Sequence, residues 1–210
     1  MSWELALKTV LRVAEPLFSG DEPPCAVIGS VASALQGCQF APRDLDLLAV
    51  RPKEVVRFAE LMWAYAPKRV EHPTDYVEWL SSEEQPLSIG PDDYGFLWHF
   101  GRWLVGGVKV EMANLAAPEG FPMSADGAGI WEAGPEIWPY IRKVPFAGLH
   151  VPVVPLEIQI QTSLSRGLEA RTAAIIAVLQ QSSYDRDLVQ KALGNAHRKA
   201  FDVLIGGSVD

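Results

Sequence analysis

Features that mark a secreted, zinc-bound or membrane protein are scarce in this chain of 210 residues. There are two cysteines, Cys25 and Cys38, and they form neither a C-x-x-C pair nor a zinc-ligand spacing, which fits a reducing compartment. Nowhere do 18 apolar residues run together, and residues 1–5 lack the basic start of a signal peptide. We therefore predict a cytoplasmic protein with no membrane partner.

Basic residues are also in short supply. Lys and Arg number 18 against 26 Asp and Glu, which gives a formal net charge of −8. General nucleic-acid binders usually carry a basic excess that neutralises phosphates, so this balance argues against a broad nucleic-acid surface. The histidines are scattered and form no H-x-x-x-H pair, which argues against a zinc hydrolase or a Ser-His-Asp triad.

Hydrophobic periodicity predicts a mixed α/β (α+β) domain, in which a mixed β-sheet is flanked by helices. Strands are expected over 25–28, 43–50, 94–105, 108–112 and 151–154, and helices over 2–18, 31–36, 53–66, 155–181 and 184–205. Residues 67–92 and 117–139 read as irregular. We expect a core over residues 1–150 and a C-terminal helical region over 151–210.

The chemistry-bearing motif begins with a strand, a Gly29-Ser30 turn and a short helix, for which Ser30 is the expected N-cap. Glycine lets the backbone approach a phosphate, and a helix start presents free N–H groups to an anion. Asp44 and Asp46 follow on the next strand, where alternation puts both carboxylates on one face. Such a pair is tolerated when a divalent cation lies between its members, and oxygen ligands suit Mg²⁺ or Mn²⁺.

A third carboxylate is available on a neighbouring strand. In Val108-Lys109-Val110-Glu111-Met112, alternation points Glu111 away from the face that the apolar residues bury. A D-x-D pair, a Gly-Ser turn or a strand Glu is common by itself. The three together, in this order and on these elements, indicate a site for a metal with a phosphate beside it.

Aromatic residues concentrate in the middle of the chain, and Tyr94, Phe96, Trp98 and Phe100 alternate along one predicted strand. Their rings either fill the core or, together with Trp131 and Trp138, line a pocket for a planar or partly apolar acceptor. The sequence does not choose between these two interpretations.

The motifs resemble those of the nucleotidyltransferase superfamily of DNA polymerase β-like enzymes. The likeness is greatest to its small bacterial branch, which includes lincosamide and aminoglycoside nucleotidyltransferases and AbiEii-type proteins. The matching segments are A-V-I-G-S-V-A-S-A-L-Q-G at 26–37, R-D-L-D-L-L at 43–48, V-K-V-E at 108–111 and V-P-V-V-P-L-E at 151–157.

This resemblance implies a nucleotidyltransferase fold and metal-dependent transfer of a nucleoside monophosphate from an NTP, with release of pyrophosphate. Gly29 and Ser30 would hold the β- and γ-phosphates, and Asp44 and Asp46 would ligate Mg²⁺ or Mn²⁺. Glu111 would be the third carboxylate, either as a metal ligand or as the group that helps to deprotonate the acceptor hydroxyl. The acceptor would be a small molecule or a protein hydroxyl, with a tRNA end the least favoured by the acidic composition.

One departure from the family pattern bears on activity. Many members carry a lysine about two turns into the helix after the V-P-x-x-P-L-E-like segment, whereas this chain reads Ile158-Gln159-Ile160-Gln161-Thr162-Ser163. Arg166 and Arg171 are the nearest cations and would replace that lysine at the triphosphate. The alternative is a catalytically silent nucleotide-binding or protein-interaction module that retains the fold, with a purely structural domain as a third interpretation.

Overall fold

The computed structural model describes residues 2–69, 79–118 and 127–206. The strands are β1 (Cys25–Ile28), β2 (Asp44–Ala49), β3 (Ser88–Pro91), β4 (Leu97–Val105), β5 (Val108–Ala116), β6 (Arg142–Phe146) and β7 (Leu149–Val153). The helices are α1 (Trp3–Val13), α2 (Gly29–Leu35), α3 (Pro52–Leu61), α4 (Leu156–Ser165), α5 (Glu169–Gln181), α6 (Arg186–Ala192) and α7 (Asn195–Ile205). Short 3-10 turns cover Glu15–Leu17, Trp63–Tyr65 and Pro135–Tyr140.

All seven strands join one mixed sheet in the order β3-β4-β5-β2-β1-β7-β6. β2 pairs parallel with β5, and β1 pairs parallel with β7, whereas the other neighbours are antiparallel. The expected mixed sheet flanked by helices is confirmed. The sheet brings the start of β2 and the middle of β5 together at its centre.

The tight connection between β4 and β5 forms as its sequence predicts. Val105 faces Val108 across the ladder, so Gly106 and Gly107 are the two loop residues. Their φ angles of 59° and 85° are both positive, which is the backbone of a type I′ turn. This turn fixes the β4–β5 register and thereby decides which β4 residue lies beside Glu111.

The two faces of the sheet have different partners. On one face, alternate residues of the inner strands pack with α1 and α3 into the largest apolar cluster, which includes Leu45, Leu47, Val110 and Met112. Asp44, Asp46 and Glu111 alternate with these residues and therefore project from the opposite face. Leu48, further along that face, packs with Ile158 of α4 and Leu188 of α6, so part of the carboxylate face is covered and part remains free for a site.

The two long C-terminal helices predicted over 155–181 and 184–205 are each broken, which corrects those expectations. Gly167 takes φ +62° between α4 and α5, a left-handed conformation that ends a helix. The backbone of Gly194 separates α6 from α7, and a Cβ there would lie 2.5 Å from the carbonyl oxygen of Ala128. The loop that contains Ala128 therefore lies against Gly194, where the helix is interrupted. Hydrophobic periodicity does not reveal this contact.

The C-terminal helices pack on one another around a second apolar cluster, in which Ile160, Ile175, Leu193 and Phe201 are buried. The division at residue 150 stays a prediction, and β7, which includes it, belongs to the sheet. No helix within the described ranges is both long enough and apolar enough to span a bilayer. Parts of the two segments predicted to be irregular, at 70–78 and 119–126, lie outside the described residues, as does His72.

Candidate active site

The register of the central strands places the predicted carboxylates side by side. Asp46 of β2 is the direct partner of Glu111 on β5, and Asp44 is the partner of Lys109. Parallel pairing brings together residues 65 positions apart in the chain, and alternation keeps Asp44 and Asp46 on the same face. The three acids therefore cluster on one side of the sheet centre.

The Gly-Ser turn lies against this cluster. The Oγ of Ser30 is 3.5 Å from Asp44 Oδ1, at the outer limit of a hydrogen bond. Helix α2 starts at Gly29 with Ile28 as N-cap, and no side chain caps it. The expected N-cap role of Ser30 is thus wrong: Ser30 lies inside the first turn, where its hydroxyl faces Asp44.

Gly29 is required both by its backbone and by the space around it. Its φ is +66°, and a Cβ built on it would lie 2.6 Å from Asp46 Oδ2. A side chain at this position would therefore take the left-handed region and also displace the carboxylate.

Gly29→Ala is expected to lower stability by about 2–4 kcal/mol, since backbone strain of about 1–2 kcal/mol adds to the contact with Asp46. Gly107→Ala is the matched control, because Gly107 has φ +85° and nothing lies within 4 Å of the place that its Cβ would take. Urea unfolding of both variants measures the difference. If the two variants lose the same free energy of unfolding, the contact of the new Cβ with Asp46 costs nothing.

The electrostatics of the cluster are unfavourable without a cation. Burial, together with the charges of Asp44, Glu111 and Glu132, raises the pKa of Asp46 to about 7, whereas Arg171 opposes the shift. Desolvation and like charges both disfavour the ionised form. A divalent cation beside the carboxylates would relieve this repulsion.

Glu111 is held by a buried cation. The Nε of Arg102, directly opposite on β4, donates to Glu111 Oε1 over 2.7 Å. The Arg102 side chain is 9% exposed and that of Glu111 26%. The hydrogen bond turns Glu111 toward β4, on the side of the cluster away from Gly29.

The described residues contain no group of three or more His, Cys, Asp or Glu side chains placed to hold a metal ion as they stand. The donor chemistry still fits Mg²⁺ or Mn²⁺ at Asp44 and Asp46, because both donors are carboxylate oxygens and because burial, together with the neighbouring acidic charges, raises the pKa of Asp46. Glu111 shares this face but is bound to Arg102.

A polar network that the sequence analysis missed lies behind α2. Arg171 pairs bidentately with Glu132, at 3.0 and 2.6 Å, and its other donors reach Ser33 Oγ and Gln159 Oε1. Ser33 lies on α2 and its hydroxyl also approaches the carbonyl of Gly29. The network therefore ties the glycine turn to α4, α5 and the loop that carries Glu132.

The two cations predicted for the triphosphate occupy different surroundings. Arg171 lies near the cluster, since its charge acts on Asp46, but that charge is already matched by buried Glu132. Arg166 is exposed directly after α4. Within the stretch 158–163, which lacks the lysine, Gln159 is fully buried and donates to the carbonyl of Val154.

Comparison with known proteins finds similarity among solved structures. No family model matches the chain, and no curated protein matches it. A solved structure from Thermotoga maritima, described as a "putative nucleotidyltransferase", matches with a TM-score of 0.52 and 19% sequence identity, over 87% of this chain and 97% of that chain. The likeness shows that this chain has the nucleotidyltransferase fold, while the resemblance to the lincosamide, aminoglycoside and AbiEii-type branch stays a prediction.

Proposed function

We propose that this protein is a metal-dependent nucleotidyltransferase of the cytoplasm that moves a nucleoside monophosphate from an NTP to an acceptor hydroxyl and releases pyrophosphate. The observation that carries the proposal is the in-register pairing of Asp46 with Glu111, with Asp44 and the left-handed Gly29 beside them. The fold shared with the Thermotoga protein agrees with it.

The nucleotide-binding half of the site consists of α2 and β2. Gly29 and Ser30 offer uncapped first-turn N–H groups and a hydroxyl to the β- and γ-phosphates. Asp44 and Asp46 would hold Mg²⁺ or Mn²⁺, which when bound neutralises charge on the triphosphate and on the leaving pyrophosphate. Arg171 would position α2 through Ser33, and exposed Arg166 would supply a cation toward the phosphates.

The acceptor half is formed by β4 and β5. Glu111, turned toward β4 by Arg102, would accept the proton of the acceptor hydroxyl as its oxygen attacks the α-phosphorus. A bond forms between that oxygen and phosphorus, and the bond from phosphorus to the bridging oxygen of pyrophosphate breaks. The arrangement favours Glu111 as a base, with the metal held by the two aspartates.

The test is a thermal shift with Mg²⁺ and ATP together with label transfer from α-phosphate-labelled ATP. We expect the wild-type protein to gain about 5–11 °C at saturating nucleotide, because ligand at 100 times Kd contributes about 2.7 kcal/mol. Asp44→Asn should remove the shift that depends on Mg²⁺. Absence of both nucleotide binding and label transfer would contradict the proposal.

A second function, a silent nucleotide-binding module, is favoured by one observation: the charge of Arg171, which is expected to replace the missing lysine, is already matched by Glu132. Such a module would bind Mg²⁺ and ATP and show the same thermal shift. It would transfer no label to any acceptor, including the protein's own hydroxyls. Label transfer therefore separates the two functions.

A further inference from the structure

A cavity of about 460 Å³ adjoins Glu111 on the carboxylate face of the sheet. Residues that line it include Gly90, Asp92, Trp98, Phe100, Arg102 and Glu111. Trp98, Phe100 and Arg102 alternate along β4 and so share the face of Glu111, which Arg102 opposes in the ladder. The cavity thus begins at the proposed base and runs outward over β4 to the edge strand β3.

The wall that Trp98 contributes is held in place by its neighbours. Its Nε1 donates to Asp92 Oδ2 over 2.9 Å, and Asp92 Oδ1 in turn accepts from the backbone N–H groups of Tyr94 and Phe96. Gly90 is the direct partner of Trp98 on β3, and nothing lies within 4 Å of where its Cβ would be. An indole fixed by a hydrogen bond, next to a position without a side chain, is a surface on which a ring can stack.

The size and charge of the cavity restrict its ligand. Its volume lies within the range of about 300–1,000 Å³ that small-molecule sites occupy. The ionisable groups that line it are two acids, Asp92 and Glu111, and one base, Arg102, whose Nε already donates to Glu111. With two acids against one base, the lining has an acidic excess, which disfavours an anion and favours a neutral or cationic molecule.

We propose that this cavity is the acceptor site and that it takes a ring compound with a free hydroxyl and no negative charge, stacked on Trp98 with the hydroxyl at Glu111. The inference rests on the proposed function and adds to it the class of the acceptor and a specificity-determining residue. It excludes phosphorylated acceptors, and with them the end of a nucleic acid.

The test uses saturation-transfer NMR with two pairs of probes that differ only by a phosphate, uridine with uridine monophosphate and glucose with glucose 6-phosphate. The cationic phenol tyramine is a further ring compound, and acyclic glycerol is the comparison without a ring. The unphosphorylated ring compounds should include at least one binder, and its phosphorylated partner and glycerol should not bind. Trp98→Leu should weaken binding by roughly 10-fold or more, and Trp98→Phe should retain most of it. Tyr94→Ala, at an 82% exposed aromatic outside the cavity lining, is the matched control.

Three results would overturn the proposal. They are equal affinity in Trp98→Leu and the wild-type protein, binding of the phosphorylated partner, and absence of binding by every ring compound. The thermal shift with Mg²⁺ and ATP is measured in the same variants and should be unchanged. Loss of that shift in Trp98→Leu alone would mean that the cavity holds the base of the nucleotide, which also overturns the acceptor assignment. Absence of the shift in the wild-type protein would instead count against the proposed function.

Discussion

Asp46→Asn should make the metal-free protein more stable at pH 8 while strongly reducing the nucleotidyl transfer that we propose. The pKa of Asp46 is raised to about 7, chiefly by burial. The folded state therefore holds this proton more tightly than the unfolded chain, where an aspartate titrates near 3.9. The contribution that protonated Asp46 makes to stability is therefore fully present below about pH 4. It is lost as the pH rises to about 7, and the protein stays less stable above that pH.

Because asparagine has no proton to lose, the gain should be about 2 kcal/mol at pH 8, or about 4–8 °C in Tm, and close to zero at pH 4. Asp93→Asn, at an exposed position, is the control and should show no such pH dependence. Transfer should fall by about 10²–10³-fold or more, because a group that stabilises charge in the transition state is lost. A variant that is destabilised equally at both pH values would contradict the assigned environment of Asp46.

Arg171→Met should destabilise the fold by about 3–5 kcal/mol, because it leaves the buried Glu132 side chain without its ion-pair partner. Such a loss lowers the Tm by roughly 10 °C or more in a chain of this length. Replacing both residues with methionine should cost less than the sum of the single changes, since neither charge is then left alone.

The Arg57–Glu60 pair is the matched control, with a similar N–O distance of 2.8 Å but side chains 61% and 57% exposed. Arg57→Met should change stability by at most about 1 kcal/mol. Thermal and urea unfolding is measured for Arg171→Met, Glu132→Met, the double variant and Arg57→Met. If Arg171→Met costs no more than Arg57→Met, the buried ion pair contributes nothing more to stability than an exposed one.

The central part of the fold was predictable because its signals are local. Alternation along β2 and β5 put the acids on one face, and Gly106-Gly107 specified the turn whose register sets Arg102 opposite Glu111. The roles of the predicted site residues stay predictions, as do the metal and the nucleotide. The hypothesis of an acceptor pocket grouped Trp98 with Trp138, and the structure separates them: Trp98 lines the cavity beside Glu111, whereas Trp138 lines a different one.

The parts that the sequence did not predict depend on contacts between distant segments. No local pattern pairs Glu132 with Arg171, which are 39 positions apart in the chain. A weak signal does exist in α4, where Gln159 and Gln161 interrupt an otherwise apolar run. Both are buried, and each binds backbone outside its own helix, Gln159 at Val154 and Gln161 at Ala128 and Gly194. A polar residue in a fully buried helix indicates such a partner.

β3 and β6 are the two edge strands of the sheet, and their sequences affect the association of one copy of the protein with another. β3 is four residues long and ends in Pro91, while β6 carries Arg142, Lys143 and Pro145. A proline offers no N–H to an incoming strand, and charges on a border strand oppose edge-to-edge aggregation. Neither edge strand therefore offers a long, uncharged series of unpaired N–H groups. Edge-to-edge pairing of the sheets of two copies is thus disfavoured.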